Sequence, residues 1–522
     1  MRSEINRLFI LIRSVVPDSL RKIFLQRDTF LFCTLFGIWT LLYLPHLRTV
    51  PSWYGDEGLA LCAGLNLVSG IPAHGSFWNT FWNHYAPYQP FYELAIGGMA
   101  QLFGGDILGG RIFNAFIGLA VSLVICFYGR RIMPWSESFG AALLFLTFEQ
   151  SVIHFRWIFT HNLIALGFAI AFLGLSGKRN QKSEWMAGWG LGISALSLPL
   201  SIYGIIGAAL IQMRFPRTWL RVFAPYIFLT ALSLLAGWLL FFKENLLLND
   251  LRSTLEFYTN ASRENGGGGG FLRNFLLFFS QDSFHFIGLI MLCMCLFGNS
   301  FAIGAGGLIV AFLLLQNRQN LPVFYYQAII LLPFITAAYG VGFGRLGSAA
   351  KNYFPEFSPL GIFVSHIPIL LAGIFFVCLL PQSLQGRLSP RIAYWTTQSC
   401  EEVEAAARWI NERTSPNDLV ICHQNIAWLI HARTADYLQV ASWMGLSTWP
   451  FKNPLPKAQF RFEPDLNKAK FAIVGDIDQR WTIQQPNIAG VMKPLTDGSW
   501  NIVWCGENYY IFENPNWRLL PR

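Results

Sequence analysis

Between residues 30 and 380 the sequence passes through one apolar segment after another, separated by short polar breaks. Segments 30–47, 108–128, 222–242, 322–342 and 360–380 approach the roughly 20 apolar residues that cross a bilayer as a helix. Such a chain has few ways to fold, because backbone polar groups in lipid must be satisfied within each segment. Only 13% of the residues are charged, against about 25% in soluble chains. The net charge of +9 does not indicate nucleic acid. The cations flank apolar segments, where they set orientation in a membrane.

The first 29 residues hold Arg2, Arg7, Arg13, Arg21, Lys22 and Arg27. They read as a basic amphipathic segment on the cytoplasmic face, drawn to anionic lipid. No cleavable signal is expected, since the apolar run comes late and lacks a small-residue cleavage site. With the N-terminus inside, the span 30–47 delivers an outer loop, 48–107. Within it, the apolar stretch 91–103 is too short to cross. If it crossed together with 108–128, Arg130 and Arg131 would lie outside; if only the second crosses, they lie inside, as the positive-inside rule prefers. Residues 91–103 are therefore expected as an interfacial helix, with two ordinary spans as the alternative.

Continued alternation puts Lys178, Arg179, Lys182, Arg214, Arg217, Arg221, Arg345 and Lys351 on the inner side. The expectation is a polytopic α-helical membrane protein with about eleven spans across residues 30–380. Loops 156–162 and 243–282 would then face outward. From about residue 381 the composition becomes that of a soluble domain. Residues 401–413 have helical periodicity, with Val403, Ala407 and Ile410 on one face. Residues 418–422, 470–474 and 508–512 read as strands. The order indicates a small extracytoplasmic α/β domain, 381–522, which either binds an acceptor or caps the membrane part. Its cysteines, Cys400, Cys422 and Cys505, could be bridged only outside the cytosol.

The chemistry is expected in residues 53–90. The string WYGDEG sets Asp56 beside Glu57, inside the stretch 49–110, which contains no Lys or Arg. Phe77, Trp78, Phe81, Trp82 and Tyr85 follow, with Asn83 and His84 among them; such rings stack on sugars or form an interfacial belt. Nucleotide sugars are made in the cytosol, so a sugar transferase acting outside draws on a lipid-carried sugar phosphate. Phosphate leaves as a stable anion and needs cations rather than a general acid. The acceptor hydroxyl needs a base, and one carboxylate suffices, whereas glycoside hydrolysis usually uses two. Asp56 fits the base. Glu57 would bind acceptor, hold a divalent metal or orient Asp56. Alternatively, the pair only caps a helix starting near Gly58. Outer-side cations for the phosphate are Arg156, Lys243, Arg252, Arg263, Arg273 and Arg318. The loop 243–282, with five glycines from Gly266 to Gly270, is suited to closing over a donor or to remaining a solvated loop.

The ordered set is a first span, WYGDEG, the helix-like LALCAGLNLVSG, the aromatic HYAPYQPFYELAIGGMAQLFGGD, and Arg111 opening a span that ends in Gly129-Arg130-Arg131. It resembles the GT-C superfamily of polyprenyl-phosphate-dependent glycosyltransferases, in style the protein O-mannosyltransferases and lipid A aminoarabinose transferases. The likeness covers about residues 30–180, and by topology extends to 380. It implies an inverting glycosyltransferase of the inner (plasma) membrane. The donor would be a polyprenyl-phosphate sugar and the acceptor a lipid, glycan or protein. It places the catalytic acid at Asp56, with Glu57 beside it. Many members carry a second acid after an Arg in the next outer loop; here RWIFTHN offers His161 and Asn162 instead. A two-carboxylate metal site is therefore not indicated, and no cofactor is assigned, a divalent metal being left open. His161 would bind a hydroxyl or the donor phosphate, or satisfy a carbonyl at a helix start. Glu149, within a span, is an alternative second acid. Two other activities fit parts of the same pattern: an oligosaccharide ligase or polymerase using a lipid pyrophosphate, and a lipid-linked sugar transporter. The latter would want inverted repeats, which the sequence does not display.

Overall fold

The computed structural model describes residues 27–69, 89–177, 179–197, 201–241, 283–294, 300–315, 328–353, 358–389, 397–447, 454, 457, 460, 462–480, 482–484 and 487–517. The apolar part comprises α1 Arg27–Tyr43, α2 Glu57–Val68, α3 Pro90–Leu102, α4 Ile107–Tyr128, α5 Trp135–Thr147, α6 Glu149–His154, α7 Thr160–Leu175, α8 Gln181–Ala195, α9 Ile202–Gln212, α10 Trp219–Phe241, α11 Ser283–Met294, α12 Ser300–Leu315, α13 Leu332–Tyr353, α14 Ser358–Ser365 and α15 Ile367–Leu384. A short strand, β1 Trp53–Tyr54, precedes α2.

Among the described residues, four helical stretches are long and apolar enough to cross a membrane: Ile107–Arg131, Pro216–Leu240, Ile329–Tyr353 and Ile367–Leu384. Hydropathy led us to expect about eleven. Five shorter apolar helices accompany the four, Glu57–Val68, Thr160–Leu175, Ile202–Gln212, Ser283–Met294 and Ser300–Phe312, and three of the expected runs are shortened for local reasons. The run 139–155 divides at Phe148, whose extended backbone separates α5 from α6 and puts Glu149 at a helix start rather than within a span. The run 360–380 restarts after His366, with Pro368 in the first turn of α15, where a missing N–H needs no partner. The 17 residues of α1 rise about 25 Å, just short of the roughly 30 Å hydrocarbon core.

Phe30, Phe32 and Phe36 of α1, Ile227, Leu235 and Leu239 of α10, and Leu370, Ile374 and Val377 of α15 are exposed. Rings and branched chains facing outward suit lipid rather than water. By contrast, α13 is buried along most of its length. The helix α4 runs from one end of the bundle to the other. Asp106 caps its start by accepting from the Leu108 amide at 2.8 Å, and its far end leads to Arg130, which pairs with Asp28 at 3.0 Å. The Arg221–Glu184 pair (3.0 Å) ties the start of α10 to that of α8.

Helices α2 and α3 cross at backbone contact. A Cβ on Gly97 would lie 2.0 Å from the Gly64 carbonyl oxygen, and one on Gly64 would lie 2.5 Å from the Gly97 nitrogen. Small residues permit this approach.

After α15, β2 Thr397–Gln398 returns to the outer loop and pairs antiparallel with β1, Trp53 opposite Gln398 and Tyr54 opposite Thr397. There follow α16 Cys400–Asn411, β3 Leu419–Ile421, α17 Gln424–Ala427, β4 Arg433–Ala435, α18 Tyr437–Trp443, β5 Phe471–Val474, β6 Asn501–Cys505 and β7 Tyr510–Glu513, with shorter turns of helix between β5 and β6. The five-stranded sheet has the order β4-β3-β5-β7-β6. The strands β3, β4 and β5 are parallel, and β7 runs antiparallel to β5 and β6. One sheet face shares a core with α16 and also with Leu61 of α2 and Tyr92 and Ile96 of α3. The other packs on Tyr437, Val440, Ile488 and Val491. The tail is thus built onto the outer loop. Cys400, Cys422 and Cys505 are free thiols, and the Cys400 thiol donates to the Thr49 carbonyl at 3.3 Å.

Candidate active site

The stretch 49–110 has no cation of its own, and the arginines on either side of it fold back over it. Arg111, in the first turns of α4, donates from Nε and Nη2 to the two oxygens of Glu57 at 2.9 and 2.6 Å. The same carboxylate accepts the Tyr54 amide at 2.9 Å and the Ile158 amide at 3.0 Å. The remaining Arg111 nitrogen donates to the carbonyls of Leu47 (3.0 Å) and Pro51 (2.9 Å). Both side chains are fully buried. A buried ion pair persists only when its other hydrogen-bonding positions are also satisfied, and here they are. Arg48, the other flanking arginine, pairs with Asp106 at 2.8 Å and with Glu404 of α16, joining the outer loop to the tail.

Asp56 stands at the N-cap of α2, but its side chain makes no capping bond. Its residue is exposed. Among the described residues no hydrogen bond or ion pair to its carboxylate is found. Protein mass around it excludes enough bulk water to push the carboxyl up to about 6. Open access at the atom and crowding in the wider surroundings are compatible, and the upward direction follows from the crowding alone. Capping therefore does not account for the acid, whereas an open carboxylate of raised affinity for protons suits a general base.

The structure brings loop 156–162 against this acid-bearing turn. Tyr54 lies 5.5 Å from Trp157 and 4.8 Å from Phe159, centroid to centroid. The expected ligands in that loop have other partners. Arg156 is fully buried and donates to the carbonyls of Leu42 (3.0 Å) and Pro45, with the Ser383 hydroxyl at 3.5 Å. It closes the C-terminal end of α1, where carbonyls carry partial negative charge. The Asn162 amide donates to the His154 and Trp157 carbonyls (3.0 and 3.2 Å) and to Asn114 Oδ1 (2.9 Å), which also accepts from the Tyr92 hydroxyl at 3.2 Å. His161, in the first turn of α7, is buried with its ring against Phe159. His84, Lys243, Arg252, Arg263, Arg273 and Arg318 lie outside the described residues.

Among the described residues no three His, Cys, Asp or Glu side chains gather as a metal-ligand set. Glu57, the acid adjoining Asp56, accepts four N–H groups. Sequence reasoning missed the staples formed by Arg111 and Arg48. The cation-free interval between them was the available signal, since any Lys or Arg paired with a buried acid in it must come from outside the interval.

These features define a polytopic helical membrane protein in which the acid-bearing loop between α1 and α2 lies against a C-terminal α/β unit. The chain has the GT-C fold. One solved structure, ArnT from Cupriavidus metallidurans bound to undecaprenyl phosphate, superposes with a TM-score of 0.61 at 13% identity, over 94% of this chain and 99% of that one. The Archaeoglobus fulgidus oligosaccharyltransferase tethered with an acceptor peptide containing the NVT sequon gives a TM-score of 0.50 at 14% identity, over 95% of this chain and 75% of that one. No protein-family model matches the sequence, and no curated protein matches it.

Proposed function

We propose that this protein is an inverting glycosyltransferase that moves a sugar from a polyprenyl-phosphate carrier to a lipid, glycan or protein acceptor on the extracytoplasmic face of the inner membrane. The observation that carries the reading is the exposed Asp56 carboxylate at the start of α2, without a hydrogen bond or ion pair among the described residues, in a GT-C fold. Asp56 takes the proton of the acceptor hydroxyl. The oxygen attacks the anomeric carbon from the face opposite the phosphate, the bond to the phosphate breaks, and the lipid phosphate departs with its electron pair. A single displacement inverts the anomeric centre.

In this reading Glu57, Arg156 and Asn162 hold the site rather than touch substrate. His84 and His161 are offered to the sugar or phosphate, and Lys243, Arg252, Arg263 and Arg273 supply charge to the leaving phosphate, on sequence grounds. The arginines gathered at the far end of α4 lie on the cytoplasmic side by the positive-inside rule, which leaves Asp56 and the C-terminal unit outside. Support for a lipid-linked donor comes from the ArnT likeness, that protein having been solved with undecaprenyl phosphate. The test is transfer of labelled sugar from a synthetic polyprenyl-phosphate donor by purified protein in lipid. No transfer by wild type with any such donor, or full transfer by Asp56→Asn, overturns the reading.

A further inference from the structure

The C-terminal unit grips the acid-bearing turn on both sides. Ahead of Asp56, β1 pairs with β2 through Trp53 opposite Gln398. Behind Asp56, Gly58 abuts α17 so closely that a Cβ there would lie 2.3 Å from the Gln424 carbonyl oxygen and 2.8 Å from the Asn425 Cα. Only residues 55–57 lie between these two contacts. Trp428 of α17 adds a ring contact to Trp53, 5.2 Å between centroids.

A buried polar hub joins the two grips. The Gln398 side-chain oxygen accepts from the Asn425 amide and from the Tyr509 hydroxyl. The Asn425 amide also reaches the Tyr509 oxygen at 2.6 Å. The three residues are 6%, 5% and 1% exposed, respectively. Gln398 is therefore bonded by its backbone to the strand before Asp56 and by its side chain to the helix that meets Gly58, two residues beyond Asp56. Bonds of this kind inside a core favour one arrangement; here the Gln398 oxygen is the acceptor of both neighbours, while its Nε2 has no partner among the described residues.

We propose that Gln398 is a positioning residue: through β2 and the Asn425–Tyr509 hub it fixes the turn that presents Asp56, so the C-terminal unit completes the active site. The inference rests on reading Asp56 as the base. Replacement by Leu removes the shared acceptor, strands the Tyr509 hydroxyl proton in the core, leaves the Asn425 amide only the Tyr509 oxygen, and frees β2 from α17. Asp56 keeps its chemistry but loses its placement.

The test uses the full chain in lipid nanodiscs. In Gln398→Leu, hydrogen exchange at amides 53–58 should quicken about tenfold, with the membrane helices unchanged. The kcat for sugar transfer should fall about tenfold while KM for the lipid donor holds. Gln398→Glu keeps an acceptor oxygen for both donors and should restore both readings. Unchanged exchange at 53–58, or an unchanged kcat, overturns the proposal. Should Gln398→Leu fail to fold, Tyr509→Phe, which removes one donor, decides by the same criteria. Wild type without transfer would sink the functional reading, and the exchange result would then decide this one alone.

Discussion

Glu57 is sealed beneath the Arg111 guanidinium, while Asp56, its neighbour in the chain, is open to solvent with no bond to its carboxylate among the described residues. The division of labour follows from the helix start. The first residue of α2 turns into the bundle and gathers four N–H groups. The residue before it stands at the cap position with non-capping geometry. One acid is held within the turn by four N–H groups, and the other has no partner among the described residues.

Replacing Asp56 with Asn removes the base and breaks no bond among the described residues. Transfer should fall by at least about 100-fold, as expected for loss of a general base. Expression and thermal unfolding should match wild type. Activity within a few-fold of wild type would exclude Asp56 as the base.

The pH profile should carry the same signature. Crowding by the surrounding protein pushes the Asp56 carboxyl up to about 6, and a base works only when ionised. Activity should therefore rise with pH through about 6 and level off above it, rather than levelling off near 4 as an ordinary Asp would allow. A flat profile of kcat/KM between pH 5 and 7 would contradict this.

Much of this was legible in the sequence, and the reasons differ by element. The strands expected at 418–422, 470–474 and 508–512 appear as β3, β5 and β7, because central strands buried on both faces are apolar runs. Edge strand β4, Arg433–Ala435, has no such run, and β1 and β2 are two residues each; pairing between residues 53 and 398 leaves no local trace. The helix 400–411 was readable from its periodicity, whereas the break at Phe148 was not, since no Pro or Gly marks it. At the site, the sequence pointed to Asp56 and to the loop around Arg156. It did not show that Arg156 closes the end of α1, because a contact between residues 42 and 156 leaves no local trace.

The Glu57–Arg111 pair should behave as a structural staple. Glu57→Ala leaves the Arg111 charge buried without its partner, and breaking such a pair costs about 3–5 kcal/mol. Folded yield and melting temperature should drop together, and the residual folded fraction should retain donor binding. Wild-type melting with lost turnover would instead make Glu57 part of the chemistry.

The C-terminal unit should lose stability as pH rises through neutrality. Asp436 caps α18, its Oδ1 accepting the Gln439 amide at 2.7 Å, while its Oδ2 has no hydrogen-bond partner among the described residues. Burial, with a smaller push from Asp478, raises its carboxyl to about 8, and burial raises Asp478 to about 7. Both start from an ordinary value of 3.8, so between the two values the folded state holds protons that the unfolded state has released. That stabilisation is complete below about pH 4 and is lost as pH rises through about 7 to 8. The fully buried Cys422 thiol reports opening of the unit. Its labelling by a thiol reagent, corrected for thiolate fraction, should quicken from pH 6 to pH 9. Asp436→Asn keeps an acceptor for the Gln439 amide and needs no proton, so it should flatten that rise and lift the melting temperature at pH 8 by about 4 °C or more. Labelling that slows with pH, or a variant less stable than wild type at pH 8, would mean that Asp436 is ionised in the folded unit and held by a partner beyond those described.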